Sequence, residues 1–374
     1  TVIDSPVTFS NWKGISEFAA KAQIFFSNTQ NSRNRKYNYL YSRAQWCASH
    51  FAALLIKAAQ PEIHWTAEFS DPLLFDAQDK KRSGNLSIEW LQKNGILDLL
   101  DNAGADYDLN ETNLFYWCEI CTIYLADELI FTNENQLQYM CGYLASSGAA
   151  EEARRKAIIS AHPIAKGWLD NQHVEDLNPR NLNLAYFGSF YPNRSTDSIL
   201  QALGFLPATE RRRTRFFIYS RQHQQAAQTV ETLGIGDMVI CRPEMMYVDM
   251  IQEMKKFDIL VVNDAVVGRG TINPFLPSKL SDYLLADVPI LALYEQGSPL
   301  SKRSEPRYRA RIYKNKQKQS EVLLKLLKQA MLDKQEAFFA RDDPNDEEAQ
   351  NEMCETAWKA YEKNSLFPSP DVEE

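Results

Sequence analysis

Short apolar runs alternate with amphipathic stretches along most of the chain. Residues 15–60 carry helical spacing, densest from Ala44 to Ile56. A strand-like run at 63–69 is closed by Ser70-Asp71-Pro72, where proline stops any helix. Ser87 is placed to cap a helix, 113–126 reads as a longer helix, and 128–132 as a short buried strand. Asn133 or Asn135 caps the next helix, which runs through Leu144. That order is the rhythm of parallel α/β layers.

The pattern breaks from 161 to 181, at Ala161-His162-Pro163-Ile164 and the polar run Asn171 to Asn181. Beyond it, strands are predicted at 184–188, 215–219, 238–241, 259–262 and 290–293, with helices at 195–204, 221–233, 246–256 and 278–286. Residues 320–362 are amphipathic and helical, interrupted around Asp342-Asp343-Pro344. The expectation is an α/β chain of two Rossmann-like domains facing a cleft. Residues 1–165 form the first domain, 166–181 a linker, 182–330 the second domain, and 331–374 C-terminal helices and tail.

Composition narrows the partners. The chain has 374 residues, room for two domains, and 41 Lys+Arg against 49 Asp+Glu give a net charge of −8. That balance argues against nucleic acid as a partner. No apolar run approaches the roughly 18 residues of a membrane span. The six cysteines are scattered, which fits a reducing cytoplasm. Cys118 and Cys121 form a CxxC, but within an apolar helical stretch, so core thiols are expected rather than a metal or redox site. The chain opens Thr-Val-Ile-Asp without an initiator Met, and is expected to derive from a longer polypeptide.

In open parallel sheets, ligands sit beyond the carboxyl ends of strands, beside helix N-termini. Two junctions of the second domain carry suitable groups. At the first, a strand ends at Gly188 and Arg194 stands beside the helix capped by Ser195, either a phosphate cradle or a tight turn with a solvated Arg. At the second, Pro277-Ser278-Lys279 opens a helix with Asp282 one turn on. This is either a diphosphate site with a carboxylate for sugar hydroxyls, or a capped surface helix.

Residues 273–293 resemble the donor-site helix of GT-B glycosyltransferases, in particular the retaining family 4 (group 1) enzymes. The surrounding order is similar: Phe-Gly-Ser-Phe-Tyr with a following Arg, Phe-Phe-Ile-Tyr-Ser, Val-Ile-Cys-Arg-Pro, Asp-Ile-Leu-Val-Val, then Pro-Ser-Lys-Leu. The segments 65–72 and 126–133 resemble that fold's last N-domain strands. The resemblance implies a GT-B architecture and a nucleotide-diphosphate sugar as donor. It implies that Gly188 and Ser189 line the cleft and that Arg194 meets the diphosphate, with Ser220 or Arg221 near the phosphates. Pro243, Glu244 and Met245 would frame the base, and Ser278, Lys279 and Leu280 would hold the diphosphate, Lys279 from an exposed position in the cleft. Asp282 would take the ribose hydroxyls. The chain departs from the family in three ways. The first of the paired glutamates is replaced by Pro274, no Lys follows the first donor strand, and the N-domain's first strands and Gly-rich loop are not visible before residue 40.

For catalysis the opposite wall offers Glu68 and Asp71, as an acceptor base or as a surface residue and a turn cap, with His64 one pleat earlier. Cations crowd 302–318, from Lys302 to Lys318 with Glu305 alone against them. They suit either anionic phospholipid or a lipid-linked acceptor at the inner face of the cell membrane, or a solvated face. The sequence reading is a cytoplasmic glycosyltransferase of the EC 2.4 hexosyltransferase type. It would move a sugar to a glycan or lipid-linked acceptor in bacterial surface polysaccharide synthesis, with no metal or other cofactor. The rivals are a related epimerase or polyol-phosphate transferase, and a sugar-nucleotide-binding scaffold without catalysis.

Overall fold

Two parallel sheets organise the chain, whose computed structural model describes residues 9–44, 46–144, 147–164, 177–191, 193–268 and 272–342. The first unit runs α1 (Trp12–Arg33), β1 (Tyr39–Ala44), α2 (Cys47–Ala59), β2 (His64–Phe69), α3 (Ile88–Lys93), α4 (Ile96–Asn102), α5 (Leu114–Leu125), β3 (Glu128–Phe131), α6 (Glu134–Tyr143), α7 (Ser147–Lys156) and β4 (Ala157–Ile159). Its strands pair in parallel in the order β1-β2-β3-β4. Asn113 starts α5 by accepting from the N–H groups of Phe115 and Tyr116, and Asn133 starts α6 by accepting from that of Gln136.

The second unit runs β5 (Leu182–Phe187), α8 (Asp197–Gly204), α9 (Ala208–Arg212), β6 (Thr214–Tyr219), α10 (His223–Thr232), β7 (Val239–Arg242), α11 (Tyr247–Met254), β8 (Ile259–Asn263), α12 (Lys279–Ala286), β9 (Ile290–Tyr294), a 3-10 turn (Leu300–Lys302), β10 (Tyr308–Arg311) and α13 (Lys316–Asp342). The strand order is β10-β9-β8-β5-β6-β7, again parallel. Every residue of β5 and β8 is buried, as a sheet covered by helices on both faces requires.

Three strands depart from the sequence reading. Residues 15–60 are not continuously helical: β1 lies within them and pairs with β2 from Tyr39↔His64 to Ala44↔Phe69. It is an edge strand with Tyr39 and Tyr41 turned outward, so its apolar residues do not all face a core. The three-residue β4 is too short to show a period. In β10 the alternation Tyr308-Arg309-Ala310-Arg311 is buried-exposed, a period-two pattern concealed in the basic stretch. Many of that stretch's cations are paired: Arg303 with Glu305, Arg307 with Asp333, and Lys302 with Asn135. α13 packs Leu323, Leu327 and Ala330 into the second unit's core, so it belongs to that unit. The predicted break at 342–344 and the tail fall mostly outside the described residues.

The units meet through polar side chains. Asn135 donates to the carbonyls of Asn273 and Gly297, both at 2.9 Å, and accepts from Lys302 Nζ at 2.7 Å. Asn133 donates to Pro274 O at 2.9 Å, and Asn193 to Ala77 O at 2.7 Å. Just before the predicted linker, His162 hydrogen-bonds Arg43 through Nδ1, and its carbonyl accepts from Ser281 Oγ.

The loop after β2 is fixed from the core. Glu119 Oε1 accepts from the N–H groups of Leu73 and Leu74 and from Tyr143 Oη, while Arg82 donates to the carbonyls of Pro72 and Leu73. Burial pushes the Glu119 carboxyl up to about 7, against the pull of those hydrogen bonds and of Arg82. Between about 4.5 and 7 the folded state therefore binds a proton that the unfolded chain lacks, and stability falls as pH rises through that window. Glu119→Gln removes this dependence. In urea unfolding at pH 4.5 and 7.5, the variant should gain on the wild type at the higher pH, and a pH-independent difference would contradict the assignment.

Candidate functional site

The second sheet reverses its strand order between β5 and β8, so a crevice forms at the carboxyl ends of those two strands. β5 runs out at Gly188, φ +134°, where an added Cβ would stand 2.9 Å from Lys279 Nζ. Only glycine leaves that lysine its place. Leu280, Tyr283 and Ala286 seat α12 in the core, and Phe187 N–H donates to Tyr283 Oη at 3.0 Å. This fastening sets Lys279 at the end of β5, with Nζ 3.7 Å from the centre of the Tyr186 ring.

Lys279 differs from expectation. Its Nζ is buried rather than exposed in the cleft, and it has no hydrogen-bond partner. Arg194 follows a tight Tyr191–Arg194 turn, and its Nε is likewise buried without a partner. Burial, and then repulsion from Arg194, hold the Lys279 ammonium well below its ordinary pKa. Two buried basic nitrogens without a hydrogen-bond partner are costly unless a ligand meets them. The arrangement suits a phosphate or diphosphate.

The remaining donor-side positions divide. Ser278 is exposed immediately before α12, and half-buried Ser189 lends its carbonyl to Tyr186 Oη. Leu280 is a core residue whose N–H already donates to Pro277 O, so neither its side chain nor its N–H faces a ligand. Arg221 grips both carboxylate oxygens of Glu244, at 2.6 and 2.7 Å, so these two exposed residues occupy each other. Pro243 beside them is exposed and Met245 half-buried. Ser220 is fully buried. Asp282 is half-buried and accepts from Tyr247 Oη at 2.8 Å. Burial raises its pKa and the Tyr247 bond opposes the rise.

Across the cleft, Asp71 and Glu68 part company. Glu68 lies inside β2, buried, with one oxygen 2.9 Å from Arg43 Nε and the other bonded by Tyr41 Oη. Asp71 is neither a turn cap nor an ion-pair partner among the described residues. Its carboxyl is reachable by solvent yet walled by protein, and that burial pushes its pKa up to about 6, against Arg82, Arg194 and Arg43. Asn193, next to Arg194, donates to Ala77 O in the loop that carries Asp71, which brings the two walls together. His64 stands apart, 3.4 Å from Glu128. Cys118 and Cys121 are buried core thiols.

The structure adds residues the sequence reading passed over. Asn263 and Asp264 close β8 beside Arg194. Asp264 Oδ2 accepts from Glu295 N–H and Ser298 Oγ, and Asn263 Nδ2 donates to Ser195 O at 2.8 Å. The Oδ1 atoms of both are buried without a partner. The available signal was the polar pair ending the apolar run 259–262. Tyr247 carried no signal of its own.

Lys279→Met tests the unpaired cation. Replacing it with an apolar side chain of similar length should stabilise the ligand-free protein by about 1 kcal/mol, because a buried polar nitrogen without a partner is removed. Thermal melting should show the variant above the wild type, while millimolar UDP or pyrophosphate raises the wild type alone. A variant that melts lower, or that still responds to the anion, would remove Lys279 from the site.

No known protein family matches the chain, and no curated protein matches it. Solved structures do. A TarM structure is similar over 93% of this chain and 58% of its own, at 11% identity and a TM-score of 0.50. HepE of Anabaena in complex with UDP-glucose is similar over 84% of this chain and 76% of its own, at 10% identity and a TM-score of 0.47. A putative UDP-N-acetylglucosamine 2-epimerase from Listeria monocytogenes covers 100% of this chain and 85% of its own, at 11% identity and a TM-score of 0.49. At such identities the likeness is one of fold. With the two facing parallel-sheet units and the crevice at β5 and β8, it gives the chain a GT-B architecture.

Proposed function

We propose that the chain is a glycosyltransferase that takes a nucleotide-diphosphate sugar as donor and a glycan or lipid-linked acceptor. One observation carries the reading: Lys279 Nζ and Arg194 Nε are buried and unpaired at the switch point of the second sheet. Diphosphate supplies the acceptors they lack, and it is also the leaving group of glycosyl transfer. Asp282, once Tyr247 yields its oxygen, serves the ribose hydroxyls. UDP-glucose bound to HepE supports this donor class.

Asp71 is the acceptor base. Above a pH of about 6 its carboxylate takes the proton of the acceptor hydroxyl, whose oxygen then bonds the anomeric carbon. The bond from that carbon to the diphosphate breaks, and its electron pair leaves on the phosphate beside Lys279 and Arg194. The two cations carry this charge without a divalent metal. The role extends to surface polysaccharide synthesis at the inner face of a membrane, with exposed Arg309, Arg311, Lys314 and Lys316 toward anionic lipid. Among the described residues no helix is long and apolar enough to cross a membrane.

A second reading, sugar-nucleotide binding without turnover, is favoured by Pro274 standing where the family carries its first Glu. Turnover separates the two. A screen of UDP-, GDP- and ADP-sugars by mass spectrometry should detect release of the nucleoside diphosphate, and binding without release would leave the scaffold reading. Activity should survive excess EDTA, and abolition with rescue by Mg²⁺ would overturn the charge assignment. Asp71→Asn should lower turnover on the order of 10²-fold with donor affinity near wild type. The wild-type kcat/KM should fall as pH drops below about 6, with the limb absent in the variant. Full turnover in Asp71→Asn would place the chemistry on the donor side.

A further inference from the structure

Beyond the cations, unpaired buried acceptors gather at the same strand ends. Asp264 is 1% exposed and Asn263 5% exposed. Each has its other polar atom fastened: Asp264 Oδ2 by Glu295 N–H and Ser298 Oγ, Asn263 Nδ2 by Ser195 O. Neither side chain is free to turn, so each Oδ1 is fixed in direction and unpaired. Burying a carboxylate oxygen without a donor is unfavourable, and chains rarely keep such atoms without a use. The surroundings are built to hold this arrangement. Glu295 accepts from the N–H groups of Val267 and Gly268 and from Asn273 Nδ2, shaping the loop over Asp264.

The neighbourhood says what would pair with them. Asn263 holds the carbonyl of Ser195, the residue after Arg194, and Val266 N–H donates to the carbonyl of Asn193, the residue before it. The end of β8 thus lies against the Arg194 segment, and Lys279, with Asp282 one turn along α12, stands at the end of the neighbouring β5. A diphosphate offers acceptors only, and it matches the cations in the middle. It cannot satisfy Asp264 or Asn263, which need hydroxyl or N–H donors.

We propose that Asp264 and Asn263 form the sugar-binding half of the crevice, their Oδ1 atoms accepting hydroxyls of the sugar carried on the diphosphate. The proposal rests on the donor reading above and deepens it: the sugar is recognised from β8, while the ribose end lies toward Asp282. Asp264 is a positioning and specificity residue for the donor sugar, and Asp71 remains the base.

The experiment compares each nucleoside diphosphate with its sugar-bearing form by calorimetry on the full chain. The probes are UDP, GDP and ADP and their glucose, galactose and N-acetylglucosamine conjugates. The wild type should bind one conjugate more tightly than the bare diphosphate. Asp264→Asn, which puts an N–H where the acceptor stood, should keep affinity for the bare diphosphate within about twofold and weaken the conjugate by about tenfold or more. Equal weakening of both ligands, or no weakening of either, overturns the sugar role and leaves Asp264 a fastening of the 295–298 turn. A wild type that binds neither form overturns the donor reading itself, a failure visible before any variant is made. Should Asp264→Asn not fold, the wild type is titrated with conjugates fluorinated at one sugar hydroxyl at a time. One position should lose affinity about tenfold, and uniform affinity across all positions overturns the proposal.

Discussion

The candidate site in the second unit depends on two buried basic nitrogens that no hydrogen bond satisfies. A parallel sheet that reverses its strand order leaves a gap at the carboxyl ends of β5 and β8, and two cationic groups, Lys279 Nζ and Arg194 Nε, are buried at that gap. The backbone yields to them. Gly188 takes a conformation suited to glycine, and the space a side chain would need there belongs to the lysine. The helix behind them is tied down by Tyr283, whose hydroxyl receives the last N–H of β5. Stability is spent to keep these charges, which is the common mark of a site shaped for a ligand rather than for the fold.

The facing wall is held in a different way. The loop carrying Asp71 has no regular structure, yet its backbone is bonded on both sides. Glu119 takes its N–H groups, Arg82 gives to its carbonyls, and Gln136 gives to Phe69 O at the end of β2. Glu119 comes from the buried α5, Gln136 from the start of α6 and Arg82 from the far side of the same loop, so a surface loop is tied to the core. Glu68, one pleat from that loop, is drawn inward by Arg43 and Tyr41. Two carboxylates three positions apart thus meet different environments, one held by Arg43 and Tyr41, the other without a bonding partner among the described residues.

Much of this was legible. The strands buried on both faces, β5, β6 and β8, are near-continuous apolar runs, and the caps of α5 and α6 stand at Asn113 and Asn133 as their side chains require. The edge strands were not, because β1 and β10 turn alternate residues to solvent and β4 is three residues long. Among candidate site residues, Arg194, Lys279 and Gly188 stand out at strand–helix junctions, where a tight turn or a capped surface helix reads the same, and the structure brings Gly188 and Lys279 together. What could not be read is which side chains cancel. Arg221 and Glu244 lie 23 positions apart, and Arg43 and Glu68 come from paired strands, so their mutual neutralisation exists only once β6 meets β7 and β1 meets β2. The opposite error befell Asp264, which looks like an ordinary polar residue after a strand and proves to be buried with one oxygen unpaired.

The polar seam between the units bears on how such a site is reached. Lys279 Nζ, Arg194 Nε and Asp264 Oδ1 are each closed off from solvent, so a ligand that pairs with them has to part something first. Next to them the seam is made of amide side chains on backbone carbonyls: Asn133 on Pro274, Asn135 on Asn273 and Gly297, Asn193 on Ala77. A neutral hydrogen bond of this kind contributes only about 0.5–1.5 kcal/mol net, since water replaces it when it opens. An apolar seam would resist separation in proportion to its area, and a buried ion pair would leave unpaired charges on parting. Amide contacts do neither. They help to fix the register of the two units, and Asn133 and Asn135, at the start of α6, reach the 273–274 segment, only a few residues before Lys279.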